Sequence, residues 1–314
     1  MYTADPLTLK PSKTEHGVIK HRIFRAEDYD AIERARVLII HGMCEHQGRY
    51  LDFAEYLAGK GFTTLTFDLP GHGDTCLEND GIHGHFEDEN GAEDVVADIN
   101  MLIDTFRAEG PAEMPFILFG HSMGSMLARY ISARRHDLDA AVYSGTPGHN
   151  GALPLALFLS NAACKLSKPY KKASIIDKLA HLGYLKLCKH EGDEFCWLSR
   201  DKEVVQAYHD DPQCGFVFSK AAFRDMFTWY SDIDKDESIA AIDTDMPILL
   251  VAGGEDPVVG FKEGITDLYN RFRDEHDADL LLYANGRHEM LNEINRDDVY
   301  RDIELWMEAA IDHH

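Results

Sequence analysis

Three residues widely separated along the chain have the side chains that acyl chemistry needs. Ser122 sits between two glycines in Gly120-His121-Ser122-Met123-Gly124. The apolar run "FILF" precedes it and the helix-patterned "SMLARYI" follows. A serine held in a tight strand-to-helix turn has its hydroxyl pushed outward. Glycines two positions away on either side keep neighbouring backbone from colliding. The hydroxyl remains a weak nucleophile until a base takes its proton, and that base needs a carboxylate to orient it. Asp256, just past "PILLVAGG", and His288, in "NGRHEMLNE", supply both in the chain order serine, acid, histidine. The remaining need is a pair of N–H donors for a developing oxyanion. The backbone groups of Met123, after the serine, and Met43, in the loop after "RVLIIHG", are placed for it.

Each of these residues has a plainer reading. Ser122 could be only a helix N-cap, and Asp256 only a turn residue before Pro257. Glu255 is a rival acid, and His288 is one of 17 histidines. "HEMLN" approaches the zinc pattern His-Glu-x-x-His, but Asn292 stands where the second imidazole would be, so no metal site is expected.

The segments that must carry these residues alternate. Short apolar runs at 36–40, 63–67, 116–119, 140–143, 247–252 and 280–283 read as strands, most of them buried on both faces. Between them lie amphipathic stretches such as "AEDVVADINMLIDTF" and the C-terminal "DDVYRDIELWMEAAI". The alternation predicts a mostly parallel central sheet flanked by helices, with "GVIKHRIFRAE" as an antiparallel edge. Residues 1–146 and 241–314 form that core, and 147–240, rich in helical signals, form a helical insert. Residues 161–190 of the insert hold seven lysines against one acid, Asp177. That reversal reads either as a solvated face balancing an acidic body or as a lid facing an anionic or zwitterionic ligand. The apolar run around Leu155 and Phe158 could line an acyl channel or pack the insert onto the core.

The set "HGMCEHQGRY", "FDLPGHGDT", "GHSMGS", "GGEDPV" and "GRHEMLNE" resembles the α/β-hydrolase superfamily, and within it the monoacylglycerol lipase and lysophospholipase-like branch. The resemblance spans about residues 37–294. It implies the α/β-hydrolase fold with 147–240 as its cap, and Ser122, Asp256 and His288 as a catalytic triad. It also implies Met43 and Met123 as oxyanion donors, and Glu45 and Arg49 near the polar end of a substrate pocket with His41 and His121. Glu45 and Arg49 could equally be an ion pair that fixes the oxyanion loop. The cap resembles bacterial lysophospholipase-type members more than eukaryotic monoglyceride lipases, which puts the substrate in doubt more than the reaction. Hydrolysis of a lipid-like monoester without a cofactor is the expectation. A small-ester carboxylesterase, an aminopeptidase, a thioesterase, an acyltransferase and a non-catalytic binding module are the alternatives.

A formal net charge of −24 argues against nucleic acid as a partner. No run of apolar residues is long enough for a membrane span. The N-terminus lacks the pattern of a signal peptide. The six cysteines show no Cys-x-x-Cys pair, so reduced thiols and a cytoplasmic location are expected.

Overall fold

The computed structural model describes residues 17–181, 184, 188 and 192–312. Among these residues seven strands form one sheet in the spatial order β1-β3-β2-β4-β5-β6-β7. They are β1 (His21–Phe24), β2 (Ala35–Ile40), β3 (Phe62–Phe67), β4 (Phe116–His121), β5 (Ala140–Ser144), β6 (Ile248–Gly253) and β7 (Ala278–Tyr283). The edge strand β1 pairs antiparallel with β3, and every other pairing is parallel. Each run expected to be a strand is one, and the early stretch supplies the antiparallel edge.

The strands are apolar on both faces because each face is covered. Leu38, Ile40, Phe116, Leu118, Ile248 and Leu250 point into one core. Their alternates Val37, Ile39, Ile117, Phe119, Leu249 and Val251 point into the other. The first face is closed by α3 (Gly91–Ala108), α4 (Met123–Ser132) and α10 (Phe261–Arg273), the second by α1 (Leu51–Ala58) and α11 (Arg296–Asp312). Each fully buried large side chain contributes roughly 1.5–3 kcal/mol. The short helix α2 (Gly73–Glu78) follows β3.

Between β5 and β6 the chain is helical: α5 (Leu153–Leu166), α6 (Ser174–Ala180), α7 (Lys202–Asp210), α8 (Lys220–Ile233) and α9 (Asp236–Ala240). Asp201 and Ser219 cap α7 and α8 by accepting from Glu203 N and Ala222 N. Helix α8 seats this cap on the body through buried Phe223 and Trp229, and Trp229 Nε1 donates to Ala92 O of α3 at 3.2 Å. "DPQCGF" returns the cap to the body, with Gly215 N donating to Cys44 O at 3.0 Å.

Two expectations need correction. Cys188 and Cys196 form a disulfide, while Cys44, Cys76, Cys164 and Cys214 are free. Leu155 and Phe158 do not line an enclosed channel: they are 60% and 68% exposed, on the outer face of α5, while Leu153 on the same helix is buried. An apolar helix at the surface of a cap can bury only one stripe, and composition does not say which. Lys186, Lys189 and the terminal His313-His314 lie outside the described residues.

Candidate active site

The strand order turns back between β2 and β4, because β3 lies on one side of β2 and β4 on the other. In open α/β sheets ligands bind at such a switch, beyond the carboxyl ends of the strands. Met43 follows β2 and Ser122 follows β4, so both flank that point.

Ser122 adopts φ 53° and ψ −117°, a conformation strained for a residue with a Cβ. It is stapled there by Ser122 N donating to Ser144 O at 2.9 Å, and by Ser125 and Met126 N–H groups reaching its own carbonyl. The flanking glycines are required by contact. A Cβ at Gly124 would overlap Ile40 O and stand 2.5 Å from His41 O, and one at Gly120 would overlap Gly124 O. Met123 N is the first amide of α4 and lies in the turn whose amides have no intrahelical acceptor. On the other side, Gly42 N donates to Glu45 Oε1 at 2.5 Å and Cys44 N to His72 Nε2 at 3.4 Å. The Met43 amide lies between these two committed groups.

His288 Nδ1 donates to Asp256 Oδ2 at 2.8 Å, with both side chains essentially buried. Asp256 Oδ1 accepts from Val258 N at 2.8 Å. Asp256, not Glu255, therefore partners the imidazole. Burial alone would lower the His288 pKa. The Asp256 charge and hydrogen bond, with Glu289 and Glu45 nearby, outweigh it and raise the pKa above 6.5. With its proton on Nδ1, the ring keeps the Nε2 lone pair for a substrate or nucleophile.

The His121 ring lies between the two halves of the site. A Cβ at Gly42 would meet Ser122 Cβ at 3.2 Å and His121 Cδ2 at 3.3 Å; one at Gly145 would meet His288 Cε1 at 2.9 Å and His121 Cε1 at 3.1 Å. The His121 and His288 rings are 4.7 Å apart. Among the described residues no hydrogen bond joins Ser122 Oγ to His288. Burial and the His288 charge push His121 down to about 4, so positive charge in this pair resides on His288.

The remaining predicted residues hold the loop after β2, where the oxyanion donor Met43 is expected. His41 accepts from Leu69 N at 3.0 Å and donates to Gly42 O at 2.8 Å, so both its nitrogens serve the backbone. Glu45 accepts from Gly42 N, Tyr50 Oη at 2.6 Å and Arg49 at 2.8 Å. Burial would raise the Glu45 pKa, but Arg49, neighbouring histidines and Tyr50 bring it to about 2. Arg49 also pairs bidentately with Glu289, next to His288, so a single guanidinium links the oxyanion loop to the histidine loop.

Sequence reasoning missed Glu289, Trp197 and Tyr208. Trp197 presents its ring 5.2 Å from that of His288, and its carbonyl accepts from His288 N at 3.2 Å. Tyr208 lies under the Arg49 guanidinium at 5.0 Å and donates to Cys44 O at 3.0 Å. Only the adjacency of Glu289 to His288 offered any local signal. His46, Asp211 and Cys214 place ligand-type atoms within 4.8 Å of one another. Gly48 N donates to His46 Nδ1, so the ring proton is on Nε2, bonded to Asp211 Oδ2 at 2.8 Å. This is a tie between loop and cap. A cavity of about 650 Å³ bordered by Pro70, Cys76, Phe86 and Asp94 has none of Ser122, Asp256 or His288 in its wall.

With this geometry in hand, comparison with known proteins is specific. A family model described as Hydrolase_4, serine aminopeptidase S33, matches residues 31–295. The chain belongs to this α/β-hydrolase family. It is similar to a monoacylglycerol lipase of Mycolicibacterium smegmatis, 28% identical over 88% of this chain and 89% of the relative. It is also similar to an uncharacterised abhydrolase domain-containing protein of Dictyostelium discoideum, 26% identical over 89% of this chain but only 27% of that protein's length. A solved lipase in its open form superposes with a TM-score of 0.86 at 27% identity, covering 96% of this chain and 97% of the lipase. No helix among the described residues is long and apolar enough to cross a membrane.

Proposed function

We propose that the protein is a carboxylic ester hydrolase that works through an acyl-enzyme on Ser122 and acts on lipid-like monoesters. The observation that carries the reading is the buried His288–Asp256 pair, packed through His121 against the strained Ser122 turn. In the proposed cycle Ser122 Oγ attacks the ester carbonyl while His288 Nε2 takes its proton. Asp256 holds the tautomer and stabilises the imidazolium. The Met43 and Met123 amides stabilise the tetrahedral oxyanion. His288 then protonates the leaving alcohol, and a water molecule activated by His288 releases the acid and restores Ser122.

The substrate class is supported by the similarity to the mycobacterial monoacylglycerol lipase and the open lipase. We further propose that residues 147–240 act as a cap that meets the lipid–water interface. Leu155, Phe158, Leu159, Leu166, Ile175 and Leu179 are exposed on α5 and α6. Lys165, Lys168, Lys171, Lys172 and Lys178 are exposed among them. As to compartment, the Cys188–Cys196 bond runs against the cytoplasmic expectation, since such bonds are rare where thiols are kept reduced. Alkylation of the native protein before and after reduction reads whether that bond is present.

The test is labelling by a fluorophosphonate followed by an ester series from acetyl to long-chain monoacylglycerol. Label on Ser122, absent from Ser122→Ala, with turnover rising toward long chains, is the expected result. Label with cleavage of aminoacyl amides and no ester turnover sinks the reading in favour of a peptidase.

A further inference from the structure

We propose that Arg129 is a positioning residue: one guanidinium pins both ends of the cap to the helix that carries Ser122. Arg129 lies on α4, seven residues past Ser122, and is 3% exposed. Its Nη1 donates to Thr146 Oγ1 at 3.2 Å and to Pro147 O at 3.0 Å, where the chain leaves β5 for the cap. Its Nη2 donates to Ile233 O at 2.8 Å, at the last residue of α8, where the cap returns. The planar fork of an arginine suits this two-sided grip, and the carboxyl end of a helix favours a cation. The Phe272 ring of α10 lies 5.4 Å from the guanidinium carbon. Burial brings the Arg129 pKa down to about 10, so it stays charged near neutrality.

The two cap junctions are also tied to each other. Tyr230 Oη donates to Gly148 O at 2.8 Å, and His149 Nδ1 meets Asp234 Oδ2 at 2.9 Å. Further arginines of the body hold the same returning end: Arg134 pairs with Asp232 at 2.8 Å, and Arg271 donates to Asp234 O at 2.7 Å. Arg134 and His149 are exposed and Tyr230 and Arg271 partly so, whereas the Arg129 contacts to both junctions are buried. The chain thus leaves the body and returns to it at two junctions that Arg129 holds together on the helix following Ser122. The consequence is selective. Placement of the cap at these junctions governs long acyl chains. Trp197 and Tyr208, the cap residues that support His288 and the loop after β2, are anchored by their own contacts, so chemistry on a short ester is retained.

Arg129→Met tests this in the full chain with hydrogen exchange and two esters. The expected result is faster exchange at residues 144–150 and 231–236 together. KM for a long-chain monoester rises about tenfold, the scale of a lost charge-assisted hydrogen bond. The kcat for a short ester stays within about twofold, and phosphonate labelling of Ser122 is retained. Loosening of one junction alone, an unchanged chain-length dependence, or a parallel fall on both esters overturns the inference. If Arg129→Met does not fold, Arg129→Lys carries the test. It keeps the charge but replaces a fork by one ammonium, so exchange should quicken at one junction at least; no change at either overturns the proposal. Absence of ester turnover in the unmodified protein would sink the esterase reading instead, and leaves the exchange measurement to decide this one.

Discussion

At the residue scale, His288 is held by one carboxylate and overlooked by two more, and its titration should show it. The proposed base must be neutral to take the Ser122 proton, and its pKa is raised above 6.5. The acid limb of kcat/KM should therefore have its midpoint above the ordinary histidine value. Asp256→Asn removes the largest favourable charge, so the limb should move to lower pH while kcat falls by roughly 10⁴-fold, because the amide no longer fixes the productive tautomer. A pH–rate profile on a soluble ester checks both, and an unmoved limb would remove Asp256 from the mechanism. Folding stability follows the same groups. His121 is depressed from 6.5 to about 4 by burial beside His288, so its contribution is complete above pH 6.5 and is lost as pH falls toward 4. Glu45 is depressed from 4.5 to about 2, so its contribution is complete above 4.5 and declines toward 2. The Tm should fall below pH 6.5 and keep falling into the acid range, with His121→Asn flattening the upper part of that decline. Calorimetry across this range reads it directly.

At the scale of elements, the site depends on how closely α4 approaches β2. A methyl at Gly124 would have to enter the space of Ile40 O, at the end of β2, and of His41 O, from the first residue of the loop that carries Met43. Gly124→Ala should cost about 1–3 kcal/mol of stability through overpacking. It should also slow phosphonate labelling of Ser122 by about 10²-fold, since the nucleophile and the Met43 amide are pushed apart. Denaturant melts and labelling rates separate the two effects, and wild-type labelling would show that the approach is not what sets the geometry. This dependence was visible in the bare motif, because glycines around a serine between strand and helix have one common cause. The strands were visible too, since Val37, Ile39, Ile117 and Phe119 face one core while Leu38, Ile40, Phe116 and Leu118 face the other. A two-sided apolar run announces that burial. What the sequence hid lies across long separations. Arg49 meets Glu289 across 240 positions, and Trp197 reaches His288 only because the cap folds back. Nor could the apolar stretch at 153–159 show which of its residues α5 turns outward. Scattered cysteines did not reveal that Cys188 and Cys196 are neighbours in space.

At the scale of the whole molecule, the proposed function asks a chain of net charge −24 to meet a lipid surface that is often anionic itself. The long-range field repels such a surface, but at physiological salt it decays over about 8 Å. Orientation is then left to short-range contacts, and on α5 and α6 exposed apolar side chains are interspersed with lysines. Leu166 is 85% exposed and Phe158 68%, and Leu155 and Leu159 on α5 and Ile175 and Leu179 on α6 are exposed with them. Placing charge there, as Phe158→Asp with Leu166→Asp, should leave turnover of a short soluble ester within about twofold, because both side chains are exposed on the cap while His288 and Asp256 are buried. Turnover of a micellar or vesicle-borne monoester should fall about tenfold or more, as each apolar group denied to the interface forfeits roughly 1.5–3 kcal/mol of burial. Co-sedimentation with phosphatidylcholine vesicles, with and without phosphatidylserine, separates the apolar contribution from that of the lysines. Reversing Lys171 and Lys172 to glutamate should weaken only the binding that depends on phosphatidylserine. Equal loss on soluble and interfacial substrates would place the defect inside the cap and leave its outer face without a role.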